Sequence, residues 1–436
     1  MTGGERVFGS TFQVPLLSDE LENRDLRWDM DDLDESRPIR LDDSRAITFE
    51  STTLGTRSRL SSFPRIAILS SAPPTPCGLA TFTMALGSAL QNHGVDVGVV
   101  RVLDATEVRP VSTLPVEAQW VANETSTLTP AIDALNRRDV VLLQHEYGLY
   151  GGPDGDSVLE LLDGLCVPVI AILHTVLSRP TTNQRRVLNR VLGTVDGVVV
   201  MTRSAECRLR DVFELNDAAV RVIAHGAAVG LSPVPHLPEA RPIILTWGLI
   251  GPGKGIEWAI DAMATLKDLS PSPVYVIAGR THPKVLAHQG DVYRRSLERR
   301  VAAYGLEEMV VFDNTYRDLV SLNALIASAS LVVLPYDSHD QATSGVLVDA
   351  IAAGRPVVAT NFSHAAELLS SGAGVTVEHG DGRGLGQAIR RVLTEPDTAE
   401  SMAVEAQRLA PSLDWNKVAC QYRDFASELL LRTGAA

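Results

Sequence analysis

From Pro64 onward, short apolar runs rich in β-branched residues alternate with longer amphipathic stretches. That alternation is the pattern of strand–helix units feeding a parallel sheet. The first set of runs is Ile66–Leu69, Val95–Leu103, Val140–Leu143, Val167–Leu173, Val198–Val200 and Val220–Ala224. A second set begins at Ile243–Thr246 and continues through Val274–Ala278, Val310–Phe312, Leu331–Leu334, Pro356–Ala359 and Gly374–Val377. Between them lies Ser232-Pro233-Val234-Pro235-His236-Leu237-Pro238, whose fixed φ values suit a stiff connector rather than a helix or a central strand. From about Trp415 to Leu431, Val418, Tyr422, Phe425, Leu429 and Leu430 recur at helical spacing, so this helix needs a surface to pack on.

The expected fold class is α/β, with two similar halves in tandem. Residues 1–62 are acid-rich and lack sustained apolar periodicity, with Asp29, Asp31, Asp32, Asp34 and Glu35 close together; the expectation is a mostly disordered extension. The expected domains are 63–236, 237–412 and a closing helix over 413–436.

Composition narrows the class. With 45% hydrophobic and 21% charged residues over 436 positions, the chain is of globular type and long enough for two cores. A net charge of −14 argues against a nucleic-acid backbone as main partner but leaves room for a local anion pocket. Cys77, Cys166, Cys207 and Cys420 are widely spaced, so a reducing cytoplasm is expected. No apolar run approaches the roughly 18 to 20 residues of a membrane span, and the amino terminus lacks a basic-then-apolar layout. Peripheral membrane contact stays open.

Open parallel sheets bind ligands where loops leave the carboxyl ends of strands, because helix amino termini converge there with unpaired N–H groups. Three stretches fit. Cys77-Gly78-Leu79-Ala80-Thr81 follows the first run, and Gly78 either allows close approach of backbone to an anion or serves as a simple turn glycine. Trp247-Gly248-Leu249-Ile250-Gly251-Pro252-Gly253-Lys254-Gly255 follows the run opening the second half and sets Lys254 where a phosphate would lie. It satisfies the GxxxxGK part of a triphosphate P-loop, but Gly255 stands where a hydroxyl would hold Mg²⁺, which argues against that chemistry. In Gln341-Ala342-Thr343-Ser344-Gly345-Val346-Leu347-Val348-Asp349, Thr343 or Ser344 can cap a helix. Asp349, about one and a half turns along, can bond paired ribose hydroxyls; a capped packing helix accounts for the same residues. His145 and His174 each close a run, where an imidazole can donate to a sugar hydroxyl or a leaving phosphate, or serve only structure.

In this order the pieces resemble the retaining GT-B glycosyltransferases called group 1 (family 4-like), from about Pro64 to the carboxyl terminus. The resemblance implies two Rossmann-like domains with parallel sheets facing a central cleft, the first for the acceptor and the second for a nucleotide diphosphate sugar. In the family's two acidic positions this chain has Gln341, which implies sugar recognition without a carboxylate, and Asp349, which implies a ribose contact. The family's diphosphate loop matches at Gly253 and Lys254, with Leu249 where an arginine is usual and Arg280 as a substitute. Thr343, Ser344, Gly345 and Gly78 are implied around the diphosphate, and Tyr316 in Val311-Phe312-Asp313-Asn314-Thr315-Tyr316 near the base. His174 matches a histidine at the reacting region; His145 and Glu146 fall on the acceptor side.

The implied reaction is hexose transfer with retention, with His174, Lys254 and Gln341 as catalytic groups, no metal and no cofactor. The donor would be of GDP-mannose or UDP-glucose type and the acceptor a glycan, lipid or small molecule. Two other readings share these residues: a nucleotide-sugar-binding regulatory module without transfer, and a two-Rossmann epimerase or phosphorylase.

Overall fold

The computed structural model describes residues 63–434 except 76, 105–112, 123, 216–217, 231–240, 316 and 339–340. The expected extension over 1–62, the Pro-rich connector and Tyr316 lie outside the described residues.

Among the described residues, seven parallel strands form the first sheet: β1 (Ile66–Ser70), β2 (Val97–Leu103), β3 (Val116–Val121), β4 (Val140–His145), β5 (Val169–Leu173), β6 (Gly197–Val200) and β7 (Ala219–Val222), in the order β3-β2-β1-β4-β5-β6-β7. Six form the second: β8 (Ile243–Trp247), β9 (Val274–Ala278), β10 (Val310–Asp313), β11 (Leu331–Leu334), β12 (Val357–Thr360) and β13 (Gly374–Val377), in the order β10-β9-β8-β11-β12-β13. β1 pairs with β2 and β4 through Ile66↔Val97 and Ile66↔Val140. Both sheets have parallel pairings throughout.

Each strand of the β1 type is apolar on both faces because helices cover both. Ile66 and Ile68 face a layer with Phe82, Leu86 and Ile170, whereas Ala67 and Leu69 face Val141, Leu143 and Ala171. The helix Trp415–Thr433 buries Val418, Tyr422, Phe425 and Leu429 in the first of these layers.

β3 was not among the expected strands. It is an edge strand, half-buried over Val116–Gln119, so its polar positions break the apolar run that marks interior strands.

Strand order reverses between β1 and β4 in one sheet and between β8 and β11 in the other. Loops leaving neighbouring strands to opposite sides open a crevice at such points. The Gly78 loop, the Lys254 loop and the Gln341–Ser344 segment follow β1, β8 and β11, and His145 ends β4.

Candidate functional site

The first lobe supplies a chain of hydrogen bonds. The helix Gly78–Asn92 starts with Cys77 as its cap, the sulfur accepting from Ala80 N at 3.4 Å. Arg101, fully buried on β2, steadies the preceding loop by donating to Ala72 O at 3.0 Å and Thr75 Oγ1 at 2.9 Å. Thr83 Oγ1 bonds Ser71 O at 3.0 Å and receives Gln144 Nε2 at 2.8 Å. Gln144 Oε1 in turn lies 2.9 Å from His174 Nε2.

A carbonyl oxygen only accepts, so His174 carries its proton on Nε2 and leaves a lone pair on Nδ1. Burial, with His225 and His145 nearby, depresses His174 to about 3, so the ring is neutral. The expected donation from His174 to a ligand is therefore revised: its one proton is spent on Gln144, and the free nitrogen accepts.

His145 is only 1% exposed and is depressed to about 4 by burial. Its ring meets Tyr147 edge-on at 5.1 Å. The carboxylate of Glu146 accepts from Tyr147 N at 3.1 Å and Thr175 Oγ1 at 2.5 Å. Both carboxylate oxygens of Glu146 are thus engaged, whereas His145 Nδ1 is buried and no partner reaches it.

In the second lobe, Gly248 takes a φ of +117° and Gly253 of +86°. Asp337 N donates to Gly253 O at 3.0 Å, while Trp258 Nε1 donates to Asp337 Oδ1 at 2.7 Å, tying the loop to the residues after β11. The Lys254 ammonium lies 4.4 Å from the centre of the Tyr336 ring, and Tyr336 stacks on Phe362 at 5.1 Å. Arg280 is exposed and donates to Asn314 O at 3.2 Å.

The helix Gly345–Ala352 is capped by Ser344, whose Oγ accepts from Leu347 N at 3.2 Å. Thr343 is buried, and no partner reaches its hydroxyl. Gln341 donates its side-chain amide to Thr343 O. Ser344 N, expected to face a ligand, instead donates to His364 Nδ1 at 2.9 Å. The helix-end donation therefore falls to the amides of Gly345 and Val346, which have no acceptor within the helix. Asp349 is half-buried and pushed up to about 7 by desolvation.

These loops converge. A methyl on Gly248 would lie 3.9 Å from Val346 Cγ2, so the Lys254 loop borders the Gly345 helix. Across from it, a methyl on Gly345 would meet His225 Nε2 at 3.0 Å. Phe82 stands between His174 and His225, with ring centres at 4.9 and 5.1 Å. A seam below holds the lobes together. Glu367 accepts from Arg203 N and Ser204 N at 2.9 Å each, Thr202 Oγ1 donates to Ala342 O at 3.3 Å, and Arg208 Nη2 donates to Ser363 Oγ at 2.7 Å.

His225, His364, Gln144 and Glu367 were not expected from the sequence. His225 shares one signal with His145 and His174, a histidine just past an apolar run. His364 and Glu367 lie on the short helix Ser363–Leu368, and nothing in its pattern announces a site.

Two parallel sheets whose strand ends meet across such a cleft define the GT-B architecture. Sucrose-phosphate synthase from Thermosynechococcus elongatus shares it with a TM-score of 0.68 at 21% identity, covering 85% of this chain and all of that one. Anabaena HepE in complex with UDP-glucose gives 0.66 at 18% identity, covering 84% and 100%. Residues 231–409 match the family described as Glycosyl transferases group 1. Glycogen synthase of Mycobacterium tuberculosis H37Rv is 30% identical over 229 residues, 51% of this chain and 52% of that protein. Alpha-D-kanosaminyltransferase of Streptomyces kanamyceticus is 29% identical over 172 residues, 39% and 41% respectively. The chain thus spans about half the length, or less, of the curated relatives it matches.

Proposed function

We propose that the protein transfers a hexose from a nucleotide diphosphate sugar to a carbohydrate or lipid acceptor, with retention at the anomeric carbon and without a metal ion. The observation that carries this reading is the convergence of Gly248, at the start of the Lys254 loop, on Val346 of the Gly345 helix. In this reading the Lys254 ammonium and the positive end of that helix share one diphosphate.

In this reading Lys254 leaves the Tyr336 face to meet the diphosphate and stabilises the charge that grows as the glycosidic bond breaks. Asp349, ionised, accepts from the ribose hydroxyls. Gln341 exchanges its bond to Thr343 O for a sugar hydroxyl, and His174 Nδ1 accepts from another. Arg280 lies at the outer edge, and Gly78 allows close approach from the first lobe. The seam at Glu367 holds the lobes closed and limits hydrolysis by water. Among the described residues no cluster of three His, Cys, Asp or Glu side chains is arranged to hold a metal ion. Among them also, no helix is long and apolar enough to cross a membrane.

The test is a panel of nucleotide sugars screened by thermal shift, followed by mass spectrometry of donor turnover with oligosaccharide and lipid acceptors. Stabilisation by a nucleotide sugar with acceptor-dependent release of nucleoside diphosphate supports the reading. The commitment of Gln341 to Thr343 O and of Ser344 N to His364 favours a second reading, a nucleotide-sugar-binding module. Tight binding without transfer to any acceptor would select it.

A further inference from the structure

His225 follows β7 and stands where the two lobes meet. Its Nδ1 lies 2.6 Å from Gly226 O. The carbonyl only accepts, so Nδ1 bears the proton and Nε2 a lone pair. That Nε2 faces the first residue of the Gly345 helix, with Gly345 leaving just enough room: a methyl there would sit 3.0 Å from Nε2 and 3.1 Å from Cε1. Phe82 at 5.1 Å and Trp415 at 5.5 Å hold the ring from other sides.

An anion gathered by that helix end would meet this nitrogen. A neutral ring would turn a lone pair toward it, whereas a protonated ring would offer an N–H. The diphosphate of a nucleotide sugar carries two negative charges, and the loop facing the helix end supplies one ammonium, Lys254. We propose that His225 is a further ligand of the donor diphosphate, taking a proton from solvent on Nε2 as the donor binds and so supplying a second cation from the opposite lobe. This rests on the donor reading above.

The groups facing His225 allow it. His174 at the end of β5 and His364 on the helix Ser363–Leu368 act on its surroundings as neutral rings, and Glu367 lies near His364. Phe82, Trp415 and Gly345 bring no charge. Without a ligand, burial holds His225 at about 4, so it is neutral near pH 7 and must gain its proton with the anion.

The experiment uses the full chain labelled with ¹⁵N-histidine, with spectra recorded at pH 6.5 alone and saturated with UDP-glucose or GDP-mannose. These diesters do not titrate near this pH. The His225 signal, identified by its loss in His225→Gln, moves from the Nδ1–H tautomer to the doubly protonated form, while His174 and His364 stay neutral. In parallel, H225Q weakens donor binding by about tenfold or more at pH 6.5, the loss expected for a hydrogen bond to a charged group, and by much less at pH 8.5. A neutral His225 in the saturated wild-type complex overturns the inference and leaves the donor reading standing. Absence of binding by either nucleotide sugar, with no other nucleotide sugar stabilising the protein, overturns both.

Discussion

The Nε2 proton of His174 is committed to Gln144 Oε1 across 2.9 Å, and Gln144 is itself fixed by Thr83 at 2.8 Å. The orientation of the imidazole thus depends on a residue that touches no ligand. Gln144→Leu leaves a buried N–H without an acceptor, a loss of about 1 to 3 kcal/mol. We expect turnover to fall by about tenfold with donor affinity little changed. Because His174 is held near 3, the wild-type rate should show no limb from this group between about pH 5 and 8. Gln144→Glu should introduce one, since a carboxylate favours the imidazolium. A pH–rate profile of both variants checks this.

The fold was legible where burial is two-sided. The runs at β1, β4 and β5 stand out because helices cover both faces of those strands, while β3 carries Glu117 and Gln119 on a half-buried edge and gives no such signal. At the site, the placement of Gly78 and Lys254 in loops after β1 and β8 could be read because the strands before them are unbroken apolar runs. The commitment of Ser344 N to His364 could not, since it joins residues 20 apart through a side chain on another helix. His225 was hidden for the same reason: its meaning lies in Gly345, which belongs to the other lobe.

The glycines divide by what surrounds them. A Cβ on Gly279 would lie 1.8 Å from Gly248 O, and one on Gly255 would lie 1.7 Å from Pro335 O, both backbone atoms. Gly279→Ala and Gly255→Ala should each lose about 1 to 3 kcal/mol or more. No atom lies within 4 Å of a Cβ on Gly78, so Gly78→Ala should stay within about 0.5 kcal/mol of wild type while still lowering turnover. Chemical denaturation beside a transfer assay separates the two classes.

Asp349 links stability to pH in a direction opposite to that of a salt-bridged carboxylate. Its pKa is raised to about 7 by burial. The folded state therefore holds the proton more tightly than the unfolded chain, and the group's stabilising contribution is lost as pH rises from about 4 through about 7. Asp349→Asn should be more stable than wild type at pH 8 and about equal to it near pH 4. The same variant should bind donor at least about tenfold more weakly at pH 8, having lost a charged acceptor for ribose hydroxyls. Urea unfolding at several pH values and donor titration at pH 8 test both halves.

Glu367 joins the lobes by accepting from two successive amides at the start of the helix Arg203–Val212. Glu367→Ala strands both donors and removes a negative charge from a helix amino terminus. The expected outcome is a larger radius of gyration in solution scattering and a raised KM for donor. An unchanged scattering profile would mean that Thr202 and Arg208 hold the seam without it.

The proposed transfer requires that Lys254 meet the diphosphate. The most direct measurement is the turnover number of Lys254→Ala against wild type with the nucleotide sugar that stabilises the protein. Loss of a preorganised charge donor should lower it by a factor of about one hundred to one thousand, with the fold intact by circular dichroism. A variant that turns over at close to the wild-type rate would contradict the mechanism.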